Sequence, residues 1–274
     1  MTSTLELHES GHDVIARRTW PVPDAPTATV LVVHGLAEHS GRWEQVGTWL
    51  TDAGFRVVSF DLPGFGESSG ERAYVDAFDD YLDVVEELIG DLRAHPEPLV
   101  LYGHSMGGLI SLTYALSDRP QPDLLVLSAP AIDAKVPGWQ RATAPLLSRL
   151  APKLSLPNPI DGLQLSRDPA VGEAYFADPL VHTEATTRLG AELFATMDRV
   201  GGRLTDLEHP TLVIHGGADT IVFPEFTAPL GDLPTVTRRL WPNLRHEAHN
   251  EPEGEQVIGE LADWIRERVG ELTS

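Results

Sequence analysis

The chain has 274 residues, 42% of them hydrophobic and 22% charged, which fits one or two globular domains and argues against disorder or a fibrous repeat. Its formal net charge of -21 repels phosphate backbones and anionic lipid surfaces, so no nucleic-acid partner is expected. The lack of any cysteine excludes disulfides, thiolate catalysis and cysteine-held metal or iron–sulfur centres.

The opening segment MTSTLELHES has no basic start followed by an apolar run, and no stretch approaches the ~20 apolar residues of a membrane span. Stable membrane insertion is therefore not expected, and the expected location is cytoplasmic. In chain order the pattern predicts a strand over Thr29 to Val33, a helix over Arg42 to Ala53, a strand over Arg56 to Phe60 and a helix over Asp79 to Arg93. A strand over Leu99 to Tyr102, a helix over Met106 to Ser117 and a strand over Leu124 to Leu127 follow. After a long gap come strands over Thr211 to Ile214 and Val236 to Leu240, and a helix from about Gly254 to Val269. Short Val/Ile/Leu runs alternating with amphipathic stretches predict an α/β fold, a mostly parallel central sheet flanked by helices.

The gap, Ala131 to Arg203, shows no strand, only Leu/Ala-rich pieces broken by prolines. A structureless loop of that length does not suit a compact domain. It is expected to be a helical insertion over the end of the sheet, dividing the chain into a core, 1–130 and 204–274, and a cap, 131–203. A linker between two domains is the alternative.

The segment VLYGHSMGGLISLTYAL contains Gly103-His104-Ser105-Met106-Gly107, a G-x-S-x-G between strand and helix. Such a turn exposes a serine Oγ at the C-terminal edge of the sheet, over the N-terminus of the helix it opens. A serine needs a histidine to take its proton and a carboxylate to orient that histidine. In this context the chain order is serine, acid, histidine. Asp219, after the strand TLVIHG, and His246, after the strand VTRRLW, fill that order at the same sheet edge. Asp133 is the rival acid and His249 the rival base. His104 is expected to point away from Ser105, and His34 and His215 to make structural hydrogen bonds near strand ends. His246 and His249 mimic a zinc helix, but their i, i+3 spacing does not match the required i, i+4, and neither a metal nor a cofactor is expected. For the oxyanion, the expected donors are the backbone amides of Met106 and of Leu36, the latter after a tight turn at Gly35.

HGLAEHSGRW, DLPGFGESSG, GHSMGG, SRDPAVGEAYFADPLVH, HGGADTIV and LRHEAHNEPE together resemble the monoacylglycerol lipase, or lysophospholipase, branch of the serine α/β-hydrolases, from about Gly11 to Trp264. The resemblance implies an α/β-hydrolase fold with a helical cap inserted after the sixth strand. It also implies Ser105, Asp219 and His246 as the triad, and Leu36 and Met106 as the oxyanion hole. The cap is then expected to cover an apolar acyl tunnel with a smaller polar end for glycerol. Trp139, Leu163 and Phe194 are candidate substrate contacts, and Leu146, Leu147 and Leu150 are further apolar residues that line the tunnel or form the cap's own core. The implied partner is a small-molecule lipid ester, with transient contact to lipid aggregates through the cap; the oligomeric state is left open. A carboxylesterase for short or aryl esters, a cofactor-free perhydrolase and a ligand-binding module on the same fold are the alternatives.

Overall fold

The computed structural model describes residues 2–272 apart from His12 and Pro159. Its ten strands are β1 (Thr4–Ser10), β2 (Asp13–Thr19), β3 (Thr29–Val33), β4 (Arg56–Phe60), β5 (Leu99–His104), β6 (Leu124–Ser128), β7 (Ser155–Pro157), β8 (Glu184–Thr186), β9 (Thr211–Gly216) and β10 (Val236–Trp241). The α-helices are α1 (Glu44–Asp52), α2 (Asp79–Leu92), α3 (Met106–Ala115), α4 (Gly138–Leu150), α5 (Gly162–Leu165), α6 (Pro169–Ala177), α7 (Thr187–Gly201) and α8 (Gly254–Leu272). Eight strands form one sheet in the order β1-β2-β4-β3-β5-β6-β9-β10. β1 and β2 run antiparallel to their neighbours, and the six expected strands run parallel.

The period-two alternation of the parallel strands sorts their side chains onto two cores. Leu31, Val33, Leu99, Leu101, Leu125 and Leu127 face the side covered by α2 and α3. Val30, Val32, Val100, Tyr102, Leu212 and Ile214 face the side covered by α1 and α8. Helix α2 shows how sequence makes one such cover. Tyr81, Val85, Leu88 and Leu92 recur at three- and four-residue intervals and are buried, and Asp79 and Asp80 in the first turn complement the helix dipole. Helix α3, in the middle of the molecule, is buried at all ten positions.

Two features differ from the expectation. The N-terminal segment forms the β1–β2 hairpin on the sheet edge, where Leu5 and Leu7 of β1 alternate but remain exposed and β2 buries only the adjacent Ile15 and Ala16, so no alternating buried face marked it. Between β6 and β9, the region expected to lack strands contains a short antiparallel pair, β7 with β8. The region also holds the helices α4, α5, α6 and α7, joined by loops. Side chains start its helices: Asp161 and Gln164 form a capping box on α5, Asp168 caps α6 and Thr186 caps α7. Thr186 also donates its hydroxyl to Ala73 O at 2.7 Å, fastening α7 to the core. Helix α4 buries only Ser148, leaving Trp139, Leu146, Leu147 and Leu150 exposed.

Candidate active site

β5 ends at His104 and α3 begins at Met106, so Ser105 occupies the turn between them with φ 51 and ψ -115. A left-handed backbone costs a non-glycine residue about 1–3 kcal/mol. Here Ser105 N donates to Ser128 O at 3.0 Å, and Ser105 O accepts from Leu109 N and Ala131 N at 3.0 Å. The flanking glycines are required for room. A Cβ on Gly103 would lie 2.2 Å from Gly107 O, and one on Gly107 would lie 2.1 Å from Val33 O. Gly107→Ala must therefore push α3 off β3, and we expect a loss of about 3 kcal/mol in urea unfolding, the upper part of the overpacking range. An unchanged unfolding midpoint would contradict this spacing.

Asp219 and His246 meet at the same edge. His246, in the loop after β10, donates from Nδ1 to Asp219 Oδ2 at 2.7 Å, which leaves Nε2 as the basic nitrogen. Asp219 lies in the loop after β9. Its Oδ1 accepts the amides of Ile221 and Val222 at 2.8 and 3.0 Å, and its Oδ2 also faces His215 Nε2 at 3.2 Å. Burial raises the Asp219 pKa, but the His246 charge and the hydrogen bonds from His215 and His246 outweigh it and hold the carboxyl well below its usual range. For His246 burial favours the neutral ring, and the attraction and hydrogen bond of Asp219 reverse that, raising its pKa above the ordinary 6.5.

The rivals have other partners. Asp133 lines the same cavity but pairs with Arg141 at 2.5 Å, and among the described residues no hydrogen bond or ion pair joins it to a histidine. His249 is buried against the Trp43 ring, centroids 4.4 Å apart, with neither nitrogen hydrogen-bonded, and burial pushes its pKa down to about 4. His104 turns from Ser105 toward Ser128 Oγ and packs among Trp43, His246 and His249. His34 donates from Nδ1 to Gly35 O and accepts the Leu62 amide on Nε2.

Ser105, His246, Leu36 and Met106 line one cavity of about 770 Å³. No hydrogen bond of the described structure uses the Leu36 or Met106 amide or the Ser105 hydroxyl; serine–histidine bonds often close only in the substrate complex. The turn before Leu36 differs from expectation in one respect. The left-handed residue is Ala37, φ 65, whereas Gly35 is needed because a Cβ there would meet Glu38 Oε1 at 2.9 Å and Ser105 Cβ at 3.2 Å.

The walls of the cavity are unlike one another. Trp139, Leu147, Phe194 and Met197 from α4 and α7 supply apolar surface, and Glu38 and Glu247 supply carboxylates. Trp139 lines it although 66% exposed. Leu163 does not: it is 51% exposed on the short α5, turned to solvent, and Leu146 and Leu150 are likewise exposed outside the cavity lining. The buried carboxylates were not anticipated. Arg42 donates to both oxygens of Glu247, at 2.7 and 2.8 Å, and to Glu38 at 3.0 Å. Glu38 in turn accepts the Gly35 amide at 2.5 Å, tying the turn that presents the Leu36 amide. The trace in the sequence was the i, i+4 pair Glu38/Arg42 directly after β3.

Comparison with known proteins gives a consistent picture. The family model described as Hydrolase_4, serine aminopeptidase, S33, matches residues 24–253. A monoacylglycerol lipase of Mycolicibacterium smegmatis is 33% identical over 254 residues, 90% of each chain. An uncharacterized abhydrolase domain-containing protein of Dictyostelium discoideum is 32% identical over 98% of this chain, which spans 30% of that longer protein. The crystal structure of the Paleococcus ferrophilus monoacylglycerol lipase superposes with a TM-score of 0.85 at 32% identity, covering 96% of this chain and 99% of that one. Among the described residues, no helix is long and apolar enough to cross a membrane.

Proposed function

Because the chain belongs to the Hydrolase_4 family, in the monoacylglycerol lipase branch of the serine α/β-hydrolases, we propose that it cleaves the ester of monoacylglycerols, releasing fatty acid and glycerol through an acyl-enzyme on Ser105. The observation that carries this is the single cavity at Ser105, with an apolar wall for one acyl chain and buried carboxylates able to accept hydrogen bonds from free hydroxyls. Segment 131–203 serves as its cap.

In the first half-reaction His246 Nε2 takes the Ser105 proton while Oγ attacks the ester carbonyl carbon. The resulting oxyanion is held by the Leu36 and Met106 amides. The C–O bond to glycerol breaks, and His246 returns the proton to the departing oxygen. In the second, His246 deprotonates a water that attacks the acyl carbon, the acyl–serine bond breaks to release the acid, and His246 returns the proton to Ser105 Oγ, regenerating the hydroxyl and the neutral ring. Groups of this chain supply each step.

The test is a rate series over monoacylglycerols of increasing chain length, with di- and triacylglycerols and short p-nitrophenyl esters beside it. Monoacylglycerols are expected to be the best substrates and triacylglycerols poor ones, since one cavity takes one chain. Faster turnover of short aryl esters than of any monoacylglycerol would replace this reading by that of a broader carboxylesterase.

A further inference from the structure

Glu251 is a buried carboxylate, its side chain wholly inaccessible, that the chemistry above does not use. It follows the base by five residues, and it gathers two separate parts of the chain. Its Oε1 accepts the amide of Arg245, the residue before His246, at 2.7 Å. Its Oε2 accepts from the cap segment between α5 and α6: Arg167 N and Arg167 Nε at 3.0 Å each, and Ser166 Oγ at 3.2 Å. Around this knot the two segments are laced together. His246 N donates to Gln164 O at 3.3 Å and Glu247 N to Leu165 O at 2.9 Å. The Arg245 guanidinium donates to Leu163 O and Ser166 O, and Ser166 Oγ also reaches Asn250 O at 3.0 Å. Asp219 thus fixes the imidazole ring, and residues 163–167 fix the backbone that carries it.

We propose that Glu251 is a positioning residue that locks the loop bearing His246 to cap segment 163–167, so that the base is in register only while the cap is seated. The proposal rests on the reading of His246 as the base. A carboxylate accepts all four of these donors, which its neutral isostere glutamine cannot. A glutamine there keeps one oxygen and turns an NH2 toward either the Arg245 amide or the Arg167 donors, so one side of the knot must open.

Glu251→Gln is expected to lower kcat by about 100-fold, as a small misplacement of a catalytic group does, with KM moving much less. The acid limb of the kcat/KM profile should also shift to lower pH, because a His246 slackened from Asp219 keeps its burial and loses the largest of the influences that raise its pKa. The charged and titratable groups that act on the ring are Asp219 after β9, Glu38 after β3, His104 on β5, and Glu247 and His249 in its own loop, with Arg42 paired to both glutamates. Glu251→Gln also removes a charge, so the uncharged exchange at Ser166, which alters none of these groups, shows whether the shift reports geometry. Ser166→Ala, a milder cut of the same knot, should move both quantities the same way by less. A purely structural Glu251 would lower the melting temperature and leave kcat and the acid limb at wild-type values, and that result overturns the proposal. If Glu251→Gln does not fold, Ser166→Ala and Arg167→Ala decide, and wild-type kcat and acid limb in both overturn it equally. His246→Ala, measured in parallel, separates the two levels. Turnover in that variant removes the base assignment itself, whereas an inactive His246→Ala beside an unaffected Glu251→Gln removes only the coupling.

Discussion

Replacing Ser105 by alanine is expected to lower kcat by about a million-fold, the scale on which loss of the nucleophile acts in another serine hydrolase. The fold should survive. Ser105 Oγ makes no hydrogen bond in the structure, and alanine at φ 51 bears the same left-handed strain as serine. The Leu36 and Met106 amides and the cavity remain, so the residual rate should still exceed that of the uncatalysed reaction. A fluorophosphonate probe, which reports an activated serine directly, should label the wild type and not the variant. Ser105→Gly separates stability from activity at the same position. Glycine tolerates the left-handed turn, so this variant should be more stable by about 1 kcal/mol and equally inactive. Substantial turnover or labelling in Ser105→Ala would place the nucleophile elsewhere.

The part of this site legible in the sequence is the part built from strand ends. A G-x-S-x-G between a Val/Leu run and an Ala/Leu run leaves little choice of geometry. Gly103 and Gly107 are glycines because carbonyl oxygens lie where their Cβ atoms would be. Asp219 and His246 were placed by the ends of β9 and β10, since parallel strands bring their C-terminal loops to one edge. Segment 131–203 was harder to read. Pro157 closes β7 and Pro169 opens α6, so prolines that suggested broken structure were also boundaries of ordered elements. Its apolar residues misled for a different reason. Leu146 and Leu150 sit on a helix that buries little of itself, where apolar spacing no longer indicates an inside. The buried ionic groups were the least visible. Glu38 and Arg42 have the spacing of an ordinary exposed helical pair, and what makes them structural is Glu247, 205 positions from Arg42. Glu251 likewise acquires its meaning from Ser166 and Arg167, which the fold brings from 85 and 84 positions away.

Asp219→Asn tests the acid through the tautomer it imposes. The two carboxylate oxygens have divided duties: Oδ1 takes the Ile221 and Val222 amides, and Oδ2 takes His246 Nδ1. An asparagine must keep its single oxygen toward the two backbone amides, since the reverse orientation would set its NH2 against both. Its NH2 then faces His246 and donates to Nδ1, so the ring proton moves to Nε2, the nitrogen that must accept from Ser105. Activity near neutral pH should fall by about 10⁴-fold, as when the equivalent change is made in a serine protease. The pH profile should respond with a definite sign. His246 works as a base only when neutral, and Asp219 raises its pKa above 6.5. Wild-type kcat/KM should therefore decline as pH falls through a value higher than that of an ordinary histidine. In the variant the attraction of Asp219 is gone and burial, which favours the neutral ring, is opposed only by Glu247 and Glu38, so the acid limb of the residual activity should move to lower pH than in the wild type. An acid limb at the same pH in both proteins would mean that Asp219 does not set the charge of the base, and wild-type turnover in the variant would return Asp133 to consideration as the acid.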